Sequence, residues 1–166
     1  MTAAAAGAIP GGLSGYEPWV PTNVPFDTSV KQFIRHFFEV SDDPARDAEW
    51  VGMFREDATV MMGGEKAVGR AEIQKLRRQM WRDVSARKHR VVKVFPGHFS
   101  EDPGSVEKGI VAMNEAEFMA FGAVAYRMRD EEVPDSVVSW AGHGRVRREN
   151  MSRPWRWVFW RVYLQA

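Results

Sequence analysis

Cysteine is absent from this 166-residue chain. That excludes a disulfide framework, a thiol nucleophile, cysteine-ligated zinc and iron–sulfur clusters. Net charge is nearly absent as well: 23 Lys and Arg stand against 22 Asp and Glu, a formal +1. A strongly basic nucleic-acid binder would carry a clear excess, so no nucleic-acid partner is expected. No apolar run approaches the roughly 20 residues that span a bilayer, and no membrane partner is expected. Residues 1–30 hold no Lys or Arg, so the basic start of a secretory leader is not seen and a cytoplasmic location is expected. GGEKAVG lacks the P-loop and dinucleotide fingerprints, and the four histidines lie too far apart for a metal motif. Neither a cofactor nor a metal is expected.

What the chain does have is aromatic bulk. Hydrophobic residues make up 45% and charged residues 27%, ordinary for a globular domain of this length. Seven Trp and ten Phe, however, stand beside only three Tyr. Trp140, Trp155, Trp157 and Trp160 all fall near the end of the chain. Side chains of this size fill cores, line pockets or form interfaces.

Residues 1–25 read as a flexible tail rich in Ala, Gly and Pro, although Tyr16 and Trp19 give it two groups with which to dock. Residues 26–166 read as one domain. Asp27 or Thr28 caps a helix to about Val40 with Val30, Phe33, Ile34, Phe37 and Phe38 on its apolar stripe. Ser41-Asp42-Asp43-Pro44 breaks it. A second helix buries Trp50, Val51 and Phe54, and ATVMM follows as a short strand. A third helix runs from Arg70 or Ala71 to about Val84, with Ile73, Leu76, Met80 and Trp81 inward. The period then changes from 3.6 to 2. HRVVKVF, EAEFMAFGAVAYRMR, VVSWAGHGRVRR and WRWVFWRVYLQ read as strands, and GIVAM as a short strand or an irregular approach. Helices followed by a mainly antiparallel sheet define an α+β domain.

In the last strand Val158, Trp160, Val162 and Leu164 alternate with Trp157, Phe159, Arg161 and Tyr163, so both faces are largely apolar. The helices can cover one face. A second subunit is the simplest cover for the other, so a homodimer is expected. Small residues in the middle strands, Gly122, Gly142 and Gly144 among them, let a sheet bend or a ligand approach. A bent sheet packed on helices leaves a concave space, the expected site.

WVGMFREDATVMMGGEKAVGRAEIQKLRRQMW followed by RKHRVVKVF resembles the SnoaL-like branch of the nuclear transport factor 2-like superfamily. FGAVAYRMRDEE, VSWAGHGRVRRE and WVFWRVYL resemble the last three long strands of its small fungal members. The resemblance covers about residues 27–165. It implies a cone in which three helices close a strongly curved sheet around a pocket, often dimeric through the outer face. Members include cyclases, dehydratases, isomerases and hydrolases of hydrophobic small molecules. Others only bind ligands or act as adaptors.

Three residues are candidates for chemistry. His89 has an unperturbed pKa suited to proton transfer near neutral pH. Scytalone dehydratase, in the same superfamily, is similar in placing a catalytic histidine where RKHRV begins its strand. A histidine held as part of the core is the alternative. The same comparison brings the aspartate of a Tyr-Asp pair onto Asp42-Asp43, with Asp43 the match; its alternative is capping in SDDPARD. His143 pairs with His89 if it points inward and belongs to the dimer face if it points outward, and strand parity leaves both open. Trp140, Trp81 and Phe121 are candidates for packing on a substrate. Arg161 and Tyr163 are candidates for binding an oxygen, or else an interface pair. The expected function is a cofactor-independent lyase or isomerase acting by acid–base chemistry on a hydrophobic, polycyclic or polyketide-like molecule. A binding module of the same fold and a protein adaptor are the alternatives.

Overall fold

The structure is a computed structural model that describes residues 15–99 and 113–165. Residues 109–112, all of GIVAM but its Met113, and the first 14 residues lie outside the described residues.

Three helices precede most of the sheet: α1 (Thr28–Ser41), α2 (Asp47–Gly52) and α3 (Arg70–Met80). The strands are β1 (Phe54–Met62), β2 (Glu65–Val68), β3 (Val84–Pro96), β4 (Glu115–Met128), β5 (Ser136–Arg147) and β6 (Arg156–Leu164). They form one sheet in the order β2-β1-β6-β5-β4-β3, antiparallel except where β1 meets β6. The domain is α+β.

Asp27 caps α1 by accepting from the backbone N–H and hydroxyl of Ser29, at 2.8 and 2.7 Å. Val30, Ile34, Phe37 and Phe38 then fall on one buried face. The second helix is shorter than its apolar spacing suggests. The Met53 carbonyl accepts from Trp157 N–H at 2.8 Å, and Arg70 donates twice to the Phe54 carbonyl. These bonds pass the chain from helix to sheet, so Phe54 opens β1. The third helix also stops early. Trp81 caps it, and Val84 pairs with Met128 at the start of β3.

The sheet bends where extra residues interrupt its ladders. Register shifts lie between Val91 and Lys93 on β3 and between Arg145 and Val146 on β5. The second opposes Val158 and turns Trp157 inward beside Trp160, whereas strict alternation would leave it with Phe159. The inner face carries Trp140, Trp157 and Trp160, all buried against α1. Glycines make room for them. A Cβ at Gly142 would lie 2.2 Å from the Trp160 ring, and one at Gly144 would lie 2.5 Å from Trp157.

The free edge of β3 is covered by the segment before α1. Trp19 donates to the Val92 carbonyl and accepts from Val94 N–H, both at 2.9 Å, and so runs parallel to β3. Residues 15–25, expected as part of a tail, thus include a stretch docked on the sheet. Among the described residues, no helix is long and apolar enough to cross a membrane.

Candidate active site

The site is built on the end of α1. Its last carbonyls have no partner within the helix. The Arg77 guanidinium, fully buried, supplies donors to Ser41 O and Asp43 O at 2.7 Å each and to Val40 O at 3.3 Å. Arg87 from β3 also donates to Ser41 O. Two cations at a helix C-terminus oppose the negative end of its dipole. Burial pushes Arg77 down to about 10, partly offset by its 2.8 Å pair with Asp47, so it stays charged at neutral pH.

Asp42 is the next residue and remains in the αR conformation as the C-cap. It lies four residues beyond Phe38 and therefore on the same face of the helix. Its Oδ1 is 2.5 Å from His89 Nδ1, and its Oδ2 accepts from His89 backbone N–H at 2.7 Å. Oδ2 also accepts from the Tyr16 hydroxyl at 3.0 Å. Arg87 Nε stands 3.6 Å from Oδ1. Burial alone would raise the Asp42 carboxyl. Attraction to His89, its hydrogen bonds and Arg87 outweigh burial and hold it below the usual aspartate value.

His89 moves the opposite way to a typical ion-paired histidine. Burial lowers its pKa, Asp42 opposes that fall, and the cations Arg87 and Arg77 add to it. The ring is therefore neutral at pH 7. Asp42 is ionised and can only accept, so the ring proton sits on Nδ1 and the lone pair on Nε2. Nε2 makes no hydrogen bond among the described residues. The ring packs between Phe38 and Trp140, with centroids 5.0 and 6.1 Å away.

His89 opens on a cavity of about 40 Å³ between α1 and the inner sheet face. Phe37, Phe38, Trp50, Trp140 and Trp160 form apolar walls, with Tyr126 beside them. Burial raises the Tyr126 pKa, so its hydroxyl stays protonated. Trp140 Nε1 is buried and has no hydrogen-bond partner among the described residues. Leu164, 44% exposed, lies on the open side with Met62, Met80 and Val162. Among the described residues, no group of three or more His, Asp or Glu is placed to hold a metal ion.

Solved structures share this architecture. A protein with a provisional scytalone dehydratase name from Novosphingobium aromaticivorans superposes with a TM-score of 0.66 at 15% identity, over 83% of each chain. A hexachlorocyclohexane dehydrochlorinase, LinA type 2, gives 0.66 at 8% identity, over 83% of this chain and 84% of its own. ActVI-ORFA from Streptomyces coelicolor gives 0.59 at 15% identity, over 82% and 95%. The chain has the nuclear transport factor 2-like fold. No family model matches the sequence, and no curated protein matches it.

Within that fold the expected site residues separate by strand parity. His89 and Trp140 lie on the cavity. Asp43 does not face His89; its carboxylate accepts from Ala45 N–H at 2.9 Å in a local turn. Asp42, one residue earlier, occupies the place expected of it. His143 is an odd number of strand positions from Trp140 and so points outward. It bonds Glu117 at 2.7 Å and packs on Phe99 and Phe159. Phe121 lies outside too, against Phe95, as does Arg161 over the Tyr163 ring at 4.6 Å. Trp81 is buried behind the site, with the Arg87 guanidinium 4.5 Å from its ring centroid. The sequence reading missed Asp42, Arg77, Arg87 and Tyr126. For Asp42 the available signal was its spacing from Phe38. For Tyr126 it was shared parity with Gly122 and Val124.

Proposed function

We propose that this chain is a cofactor-independent lyase or isomerase that uses His89 as a general base on a hydrophobic small molecule. One observation carries this reading: a neutral, Asp42-oriented histidine, its Nε2 unpaired among the described residues, lines a mostly apolar cavity. The fold neighbours include a dehydrochlorinase, which fits the same class of chemistry. In the proposed step Nε2 takes a proton from a carbon made acidic by a neighbouring carbonyl or leaving group. The electrons of that C–H bond form a new C=C bond. In a lyase the β-substituent leaves with its own bonding pair; in an isomerase a proton returns at another carbon. Imidazolium formation is stabilised by the adjacent Asp42 carboxylate. Tyr126 and the unpaired Trp140 N–H are the donors we assign to a substrate oxygen or halogen.

The cavity has room for about three waters. It therefore takes the reacting end of a molecule, and any polycyclic remainder lies at the mouth near Met62, Met80, Val162 and Leu164. The same small, mostly apolar cavity favours a second reading, a ligand-binding module without turnover. We also propose a homodimer through the outer sheet face.

His89→Gln tests the choice. The substitution removes the base while keeping size and one hydrogen bond. With substrates found by metabolite capture from the native organism, turnover should fall about 10²–10⁴-fold while ligand binding stays nearly intact. Unchanged turnover would remove His89 from the mechanism. Captured ligands that are never converted by the native protein would favour the binding module.

A further inference from the structure

We propose that Tyr16 is a positioning residue for the Asp42–His89 pair, delivered to it by a strap that docks along the free edge of β3. The proposal rests on the reading of His89 as the working base, and its test separates the two.

The strap is anchored independently of Tyr16. Its backbone pairs with β3 through Trp19, whose ring packs on Phe95 at 5.8 Å with Lys93 Nζ 6.0 Å from its centroid. Pro18 is buried, and Pro18 and Pro21 stiffen the segment on either side of the anchor. This docking fixes where Tyr16 stands. Its hydroxyl receives a hydrogen bond from Lys88 Nζ at 2.6 Å, and the same ammonium lies 4.2 Å from the ring centroid. An ammonium can only donate, so the phenolic proton is directed to its other neighbour, Asp42 Oδ2 at 3.0 Å. The result is a directed chain, Lys88 to Tyr16 to Asp42, with His89 donating to the same carboxylate. Tyr16 has no other assigned hydrogen bond, and burial together with Asp42 raises its pKa, so it remains a donor.

Two consequences follow for the pair. The Asp42 carboxylate is held at both oxygens, Oδ1 by His89 Nδ1 and Oδ2 by the Tyr16 hydroxyl and the His89 backbone N–H. The donor on Oδ2 also draws charge away from Oδ1 and so tempers the pull on the His89 ring proton. The other ionisable groups around the pair are Arg87 on β3, Arg77 on α3, Asp47 on α2, Glu39 on α1 and Tyr126 on β4. None of these supplies a hydrogen bond to Oδ2.

The experiment is an imidazole nitrogen NMR titration of the full chain. His89 is identified by the resonance lost in His89→Gln. Tyr16→Phe keeps the ring under the Lys88 ammonium but removes the hydroxyl, and with it both the acceptor for Lys88 and the donor to Asp42. The His89 midpoint should rise by about half a pH unit or more, because the unrelieved carboxylate stabilises imidazolium better. Trp19→Ala, which weakens the strap's anchor, should shift it in the same direction. The Asp42 side-chain carboxyl carbon, followed in the same samples, should titrate at higher pH in Tyr16→Phe. Unchanged His89 and Asp42 midpoints in a folded Tyr16→Phe would overturn the proposal whatever the turnover. If the midpoints shift while His89→Gln keeps full turnover, the coupling stands and the reading of His89 as base falls.

Discussion

At the end of α1, adjacent aspartates have opposite surroundings. Asp42 is buried against His89, while Asp43 is tied to the Ala45 backbone. Asp42→Asn should therefore cost turnover heavily, about 10²–10⁴-fold, because the amide no longer fixes the ring proton on Nδ1. Asp43→Asn should leave turnover within about twofold, and steady-state rates on the two variants decide between them. The sequence carried both carboxylates and the right histidine. It favoured Asp43 through a family comparison, although helical spacing from Phe38 points to Asp42. The Arg77 and Arg87 contacts were not legible, because neighbours distant in the chain meet only after folding. Burial at His89 also gives a pH signature. Its folded pKa lies below the ordinary 6.5, so the unfolded chain binds more protons between those two values. The stability this contributes is complete above about 6.5 and is lost as pH falls through the folded value. Urea midpoints measured from pH 7.5 down to 5 should fall in native protein, and fall less in His89→Gln. Equal slopes would show that His89 is not desolvated.

The strands show a related limit at the scale of elements. The existence of β3 to β6 and their order after the helices were written in the change of hydrophobic period. Which face was which was not, because aromatic residues occupy both. A single register shift at Val158 sends Trp157 to the side opposite that of simple alternation. The glycines were legible as sites of close approach, and the structure shows what approaches: the rings of Trp157 and Trp160 fill the space a side chain would take. Gly142→Ala would place a Cβ 2.2 Å from Trp160, on a ring already packed against Phe37, Phe38 and Trp157. It should cost about 1–3 kcal/mol by overpacking. A Cβ at Gly52 on α2 would meet no packed neighbour within 4 Å among the described residues, so Gly52→Ala should gain about 0.4–1 kcal/mol. Chemical denaturation of the two variants should give shifts of opposite sign. A harmless Gly142→Ala would mean that the indole is loosely seated and that the cavity wall can move.

At the scale of the whole molecule, the helices close the inner face of the sheet, and among the described residues no helix covers the outer face. Phe121 and Tyr163 are 39% and 43% exposed there, in neighbouring register across β4, β5 and β6. Phe95, Met119 and Phe159 extend the same surface while only partly exposed. The contact between Glu117 and His143 lies within it, so these two groups already have each other as partners and add little to the cost of covering the face. A face this apolar, opposite a core that is already complete, is the feature a second copy of the chain would bury. A stable pair requires more than about 1,000 Å² of total interface, which calls for most of the outer face of these three strands. Sedimentation equilibrium at micromolar concentration should then give about twice the 18.9 kDa chain mass. Phe121→Glu should shift the equilibrium toward monomer, because it replaces an apolar ring in the covered patch with a charge that must be stripped of water on association. The His89–Asp42 pair is on the opposite face, so the His89 titration should not change in this variant. A native protein that sediments as a clean monomer would refute the dimer and leave the outer face to another partner.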